Sequence, residues 1–139
     1  MTQETTKCGV VAVLGLAFKK NTNDFRESPA IDICNHLLAE GVRLRLQDER
    51  VDPKAFGEVL VDEVKAGFGF FREVTEAVQG ADAILVLTEW DQYTKLDWRK
   101  LSAVAAPGAM IFDGRTVVDH VAAGAAGLPV FTVGIGAGK

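Results

Sequence analysis

Short apolar runs separated by polar stretches set the rhythm of this chain. "GVVAVLGLA" at 9–17, "AILVL" at 83–87 and "AMIFD" at 109–113 are apolar almost throughout. Runs of this length without alternation predict strands covered on both faces, as in a parallel sheet. "VRLRLQD" at 42–48 alternates instead, which predicts a strand nearer the sheet edge, and "PVFTVG" at 129–134 closes the pattern as an edge strand. "FGFF" at 68–71 fits either a short strand or a packed loop.

Helical signals fall between these runs. Ser28 and Pro29 open a helix whose Ile31, Cys34, Leu37 and Leu38 recur at helical spacing, and Gly41 ends it. Asp52 and Pro53 begin a weaker pattern to about Ala66, and "TEAVQG" at 75–80 reads as a short helix. Asp97 caps a helix through Trp98 and Leu101 towards Val104, stopped by "APG" at 106–108. "GRTVVDHVAAGAAG" at 114–127 is helical in part, with glycine breaks. Alternating strands and helices with short connections predict a single α/β domain over residues 1–139. Its expected form is a doubly wound, Rossmann-like, mainly parallel sheet with helices on both faces.

Composition narrows the classes. The 139 residues are 48% hydrophobic and carry a net charge of -4 with both signs interspersed, so no basic stripe for nucleic acid is present. No apolar run approaches the length of a membrane span, and "MTQETTK" lacks the basic and apolar regions of a signal peptide. The expectation is a soluble cytoplasmic protein. Cys8 and Cys34 are too far apart for a CxxC motif and read as small buried residues. His36 and His120 have no evident nucleophile partner, and Trp90 and Trp98 read as packing residues.

Ligands of doubly wound sheets bind at the carboxyl ends of the strands, near the point where strand order reverses. That rule selects the loops at 18–27, 48–52, 88–97 and 113–117. Lys19, Lys20 and Arg26 lie in the first of these and Arg115 in the last. Cations on the binding rim of an acidic protein suit an anion, most simply a phosphate. The alternative is a set of solvated loop charges paired with Asp24, Glu27 and Asp113. The loop after Gly15 reads "LAFKKNTND" and lacks GxGxxG, so side chains rather than a glycine turn have to hold the anion. Asp48, at the end of the second strand, reads either as an acid near a ribose or as a surface charge. "GIGAGK" at 134–139 lacks the full P-loop spacing. A receiver domain would need an acidic pair after the first strand, where this chain has "GLAFKK". A flavodoxin-like domain remains open on pattern alone.

Together "VLGLAFKKNTNDFRESPA", "ADAILVLTEWDQY", "LDW" and "MIFDGR" resemble the UDP-glucose/GDP-mannose dehydrogenase family, in its carboxy-terminal UDP-binding domain. The likeness runs from Val10 to Gly136, and "LTEWDQY" is most similar to the members that oxidise UDP-glucose. It implies a UDP-sugar partner bound by Phe18, Lys19 and Arg115, with Arg26 reaching NAD across a domain cleft. The resemblance also implies an NAD-dependent parent chain of polysaccharide biosynthesis, a homodimer or higher oligomer. Most of the NAD contacts and the catalytic cysteine would belong to other domains of it, so this chain alone is expected to be inactive. Where relatives carry "YDP" after the second strand, this chain has "QDE", keeping only Asp48. The alternative is a free-standing nucleotide-binding or regulatory module without catalysis of its own.

Overall fold

β1, Val10–Leu14, lies at the centre of a sheet whose order is β3-β2-β1-β4-β5-β6 in the computed structural model. That model describes residues 9–17, 24–25, 28–60 and 67–133. The other strands are β2 Arg43–Gln47, β3 Phe68–Phe71, β4 Ala83–Val86, β5 Met110–Asp113 and β6 Val130–Thr132, and every pairing is parallel. Consecutive Ala12, Val13 and Leu14 are all 0% exposed, so both faces of β1 are covered. The uninterrupted apolar run therefore has the cause the sequence suggested.

The order places the switch point between β1 and β4, which pair from Val11 with Ala83 to Leu14 with Val86. It also separates this chain from the flavodoxin and receiver order, 2-1-3-4-5, which strand–helix alternation alone does not exclude. "FGFF" resolves as an edge strand, paired with β2 from Leu44 with Phe68 to Gln47 with Phe71.

The helices are α1 Pro29–Ala39, α2 Pro53–Glu58, α3 Val74–Val78, α4 Trp98–Val104 and α5 His120–Ala125. Ser28, Asp52, Asp97 and Asp119 each accept a backbone N–H as side-chain caps. α2 is shorter than its apolar pattern suggested, and residues 61–66 lie outside the described set. Its Phe56 is fully buried and meets Phe25 and Phe70 edge to face, with centroids 5.2 and 6.3 Å away.

β2 lies one strand in from the β3 edge, as its alternation suggested, and its polar Arg45 is put to use within the fold. Arg45 donates from Nε to the Ala77 carbonyl at 3.1 Å and from Nη2 to the Glu76 carbonyl at 2.9 Å, and its guanidinium lies 4.2 Å from the Phe71 ring centroid. It adds a charged donor at two carbonyls near the end of α3, one of which, Glu76, also accepts the Gln79 N–H at 3.3 Å. No helix among the described residues is long and apolar enough to cross a membrane.

Candidate functional site

Gly15 starts the site because the chain must turn sharply where β1 ends. Its φ is +98°, and a Cβ there would lie 2.6 Å from Thr88 Cβ and 2.7 Å from the Thr88 backbone nitrogen. Backbone cannot move aside, so only glycine lets β1 and the end of β4 approach this closely. The Gly15 N–H donates to the Gln47 carbonyl at 2.8 Å, which continues the contact with β2 past the last strand pair.

Asp48 then gathers the surrounding loops. Its Oδ2 accepts from the backbone N–H of Leu16 at 2.7 Å, that of Ala17 at 3.1 Å and the indole Nε1 of Trp90 at 3.0 Å. Its Oδ1 accepts from the Arg50 N–H at 2.8 Å. The residue is only 9% exposed, so neither a surface charge nor a ribose ligand describes it. A buried carboxylate is tolerable only when its lone pairs are used, and here they are. The sequence carried one sign of this, a polar pair, Gln47–Asp48, directly after the apolar Leu46 of β2.

The "TEWDQY" segment closes over that hub. Thr88 Oγ1 donates to the Ala17 carbonyl at 2.8 Å, and Ser28 Oγ approaches the same oxygen at 3.4 Å. Trp90 holds Asp48, and the buried Tyr93 hydroxyl, in a 3-10 turn at Asp91–Lys95, donates to Gln47 Oε1 at 2.6 Å. Gln47 Nε2 in turn donates to the Arg72 carbonyl beyond β3 at 2.9 Å. Burial first, and then the charges of Asp48 and Glu49, push the Tyr93 phenol well above its ordinary range, which keeps it a donor. Trp90 and Trp98 are packing residues as expected, at 7% and 2% exposure.

Arg115 is the one sequence-predicted site residue within the described set. Asp113, fully buried at the end of β5, accepts the backbone N–H of Arg115 at 3.0 Å and of Val118 at 2.8 Å. Those bonds and a left-handed Thr116, φ 58°, fix the turn. From it Arg115 Nε donates to the Leu87 carbonyl at 3.0 Å and lies 3.7 Å from Glu89 Oε1. The guanidinium is thereby carried from β5 to the carboxyl end of β4, beside the switch point. Asp113 spends its oxygens on backbone, against the alternative in which it pairs with a loop cation. Phe18, Lys19 and Arg26 lie outside the described residues.

Two other expectations concern chemistry. Cys34 is a buried free thiol whose burial pushes it up to about 12, so it is inert rather than nucleophilic. His36 and His120 are exposed.

Fold and site define a doubly wound α/β domain whose switch point joins the Gly15 turn to the buried side chains of Asp48, Thr88 and Trp90. A model of the UDP-glucose/GDP-mannose dehydrogenase family, UDP binding domain, matches residues 12–120, and the chain belongs to that family. The UDP-glucose 6-dehydrogenase of Drosophila melanogaster is 36% identical over 132 residues, covering 89% of this chain. The chain spans 28% of that relative's length. Among solved structures, a UDP-glucose dehydrogenase of Pyrobaculum islandicum aligns with a TM-score of 0.63 at 26% identity, over 84% of this chain and 26% of its own. An NDP-N-acetyl-D-galactosaminuronic acid dehydrogenase of Methanosarcina mazei aligns with a TM-score of 0.73 at 25% identity, over 93% of this chain and 25% of its own.

Proposed function

We propose that this chain is the UDP-sugar-binding part of an NAD-dependent UDP-glucose 6-dehydrogenase. The parent enzyme converts the C6 alcohol of UDP-glucose to the carboxylate of UDP-glucuronate: two NAD⁺ take up the two hydrides, one water supplies the second carboxylate oxygen, and three protons are released. The observation that carries this is Arg115, braced by the Leu87 carbonyl at the carboxyl end of β4 in a chain of this family. A guanidinium held there suits a diphosphate better than a flexible lysine, because its donor fork is already oriented.

Lys19 and Arg115 face the diphosphate-sugar and Phe18 shapes the site beside them. Arg26 approaches the NAD of a neighbouring domain. NAD itself does not fit the switch point of this domain: Ala17, 0% exposed, fills the place of the second glycine, and its N–H is taken by Asp48. The residues of this chain therefore bind and orient substrate, and the chain alone turns over no UDP-glucose. The parent works in the cytoplasm as a homodimer or higher oligomer and feeds polysaccharide synthesis.

Calorimetry tests the assignment. Titrating the chain with UDP-glucose, UDP and GDP-mannose is expected to show the two uridine ligands binding and GDP-mannose failing. Lys19→Ala and Arg115→Ala should each weaken UDP. Equal affinity for GDP-mannose would exclude the UDP-glucose assignment.

A further inference from the structure

In a sheet of order 3-2-1-4-5-6 the turn after β1 is the phosphate site of dinucleotide-binding domains: free backbone N–H groups point at a pyrophosphate, and the second glycine of the turn lets it approach. This chain keeps the order and the first glycine, Gly15. It does not keep the vacancy. The N–H groups of Leu16 and Ala17 both end on Asp48 Oδ2, at 2.7 and 3.1 Å, and the buried Ala17 brings a methyl group where a glycine would leave room. An N–H carries a single proton, so a donor committed to Asp48 is unavailable to a phosphate oxygen.

We infer that Asp48 is an internal anion: its carboxylate occupies the phosphate-binding amides of the β1 turn and closes this domain's own switch point to dinucleotides. Trp90 Nε1 at 3.0 Å, from the loop after β4, and the Arg50 N–H at 2.8 Å, from the loop of Asp48 itself, hold the carboxylate in that position. The consequence is a division of specificity within one family of dehydrogenases. A dinucleotide needs the amides of the turn, whereas a ligand recognised by rim cations does not, so the domain admits the second and refuses the first. The inference concerns the amides of Leu16 and Ala17 and stands whether or not UDP-glucose proves to be the rim ligand.

Asp48 also lines a cleft of about 250 Å³ at the ends of β2 and β3, together with Val51, Phe70 and Phe71. Small anions from solvent can thus reach the space that its side chain would vacate.

The test is proton–nitrogen NMR of the whole chain in a Lys19→Ala/Arg115→Ala background, which keeps rim binding from moving neighbouring signals. With Asp48 present, millimolar pyrophosphate or NAD⁺ is expected to leave the Leu16 and Ala17 amides and the Trp90 indole unmoved. In Asp48→Ala, formate is expected to shift all three saturably and to raise the melting temperature. Asp48→Asn, which fills the space without a carboxylate, should show no formate response. If Asp48→Ala folds only when refolded into formate, that rescue supports the inference as well. Saturable movement of the Leu16 and Ala17 amides by pyrophosphate while Asp48 is intact overturns it, whatever the variants do. So does an Asp48→Ala protein that folds but ignores formate.

Discussion

Trp90 donates its indole N–H to Asp48 across 3.0 Å, and this one bond joins the loop after β4 to the end of β2 above the switch point. The Arg50 guanidinium lies 5.4 Å from the Trp90 ring centroid and braces the same indole. Replacing Trp90 with Phe keeps much of the ring and removes the donor. Asp48 Oδ2 retains its two backbone donors, so the expected loss is about 1–2 kcal/mol, read from urea unfolding. A neutral result would show that the indole contributes packing alone.

Gly15→Ala is expected to be far more damaging. The new methyl would press on Thr88 backbone while the residue holds φ +98°. Backbone strain and overpacking together should cost roughly 2–4 kcal/mol. A melting temperature within a degree or two of the wild type would contradict the close approach of β1 and β4.

Tyr93→Phe removes the hydroxyl that donates to Gln47 Oε1 at 2.6 Å and leaves a buried amide oxygen without that partner. The expected cost is about 1–3 kcal/mol. The pH dependence has a definite sign. The folded phenol titrates well above its model value of 10.0, so the unfolded chain releases its proton first. Stability from this group is complete below pH 10 and is lost as pH rises further. The alkaline loss attributable to Tyr93 should vanish in Tyr93→Phe.

Cys34 behaves in the same sense from a lower starting point. Its thiol moves from 9.0 when unfolded to about 12 in the fold, so between those values stability falls by about 1.4 kcal/mol per pH unit. In a Cys8→Ser background, a thiol reagent at pH 8 should modify Cys34 only at the rate of unfolding. Stoichiometric modification of the folded chain within seconds would contradict its burial.

Much of the fold was legible because its causes are local. The caps at Ser28 and Asp97 and the unbroken run of β1 announce their elements within a few residues. Where side-chain partners come from distant strands, the pattern misled. The alternation around Arg45 placed β2 near the sheet edge but gave no sign of its carbonyl partners, supplied by α3 at Glu76 and Ala77. Asp48 reads as a surface acid or a ribose partner because its donors at Leu16, Ala17 and Trp90 come from two other loops, and only the sheet order brings them together. "FGFF" was ambiguous for a related reason, since a four-residue edge strand is defined by its pairing with β2. The position of Arg115, just past the buried strand β5 on the carboxyl rim of the sheet, was legible. The brace from Leu87 that aims it was not.

Arg115 provides the most direct test of the claim that this domain binds UDP-sugars with oriented side-chain cations. Calorimetric titration with UDP-glucose should find Arg115→Ala weaker by roughly 10- to 100-fold, the loss of one charge-assisted contact of about 1.5–3 kcal/mol. Arg115→Lys should recover only part of it, because a lysine cannot reproduce the guanidinium fork. Wild-type affinity for UDP-glucose in a folded Arg115→Ala chain would contradict the account.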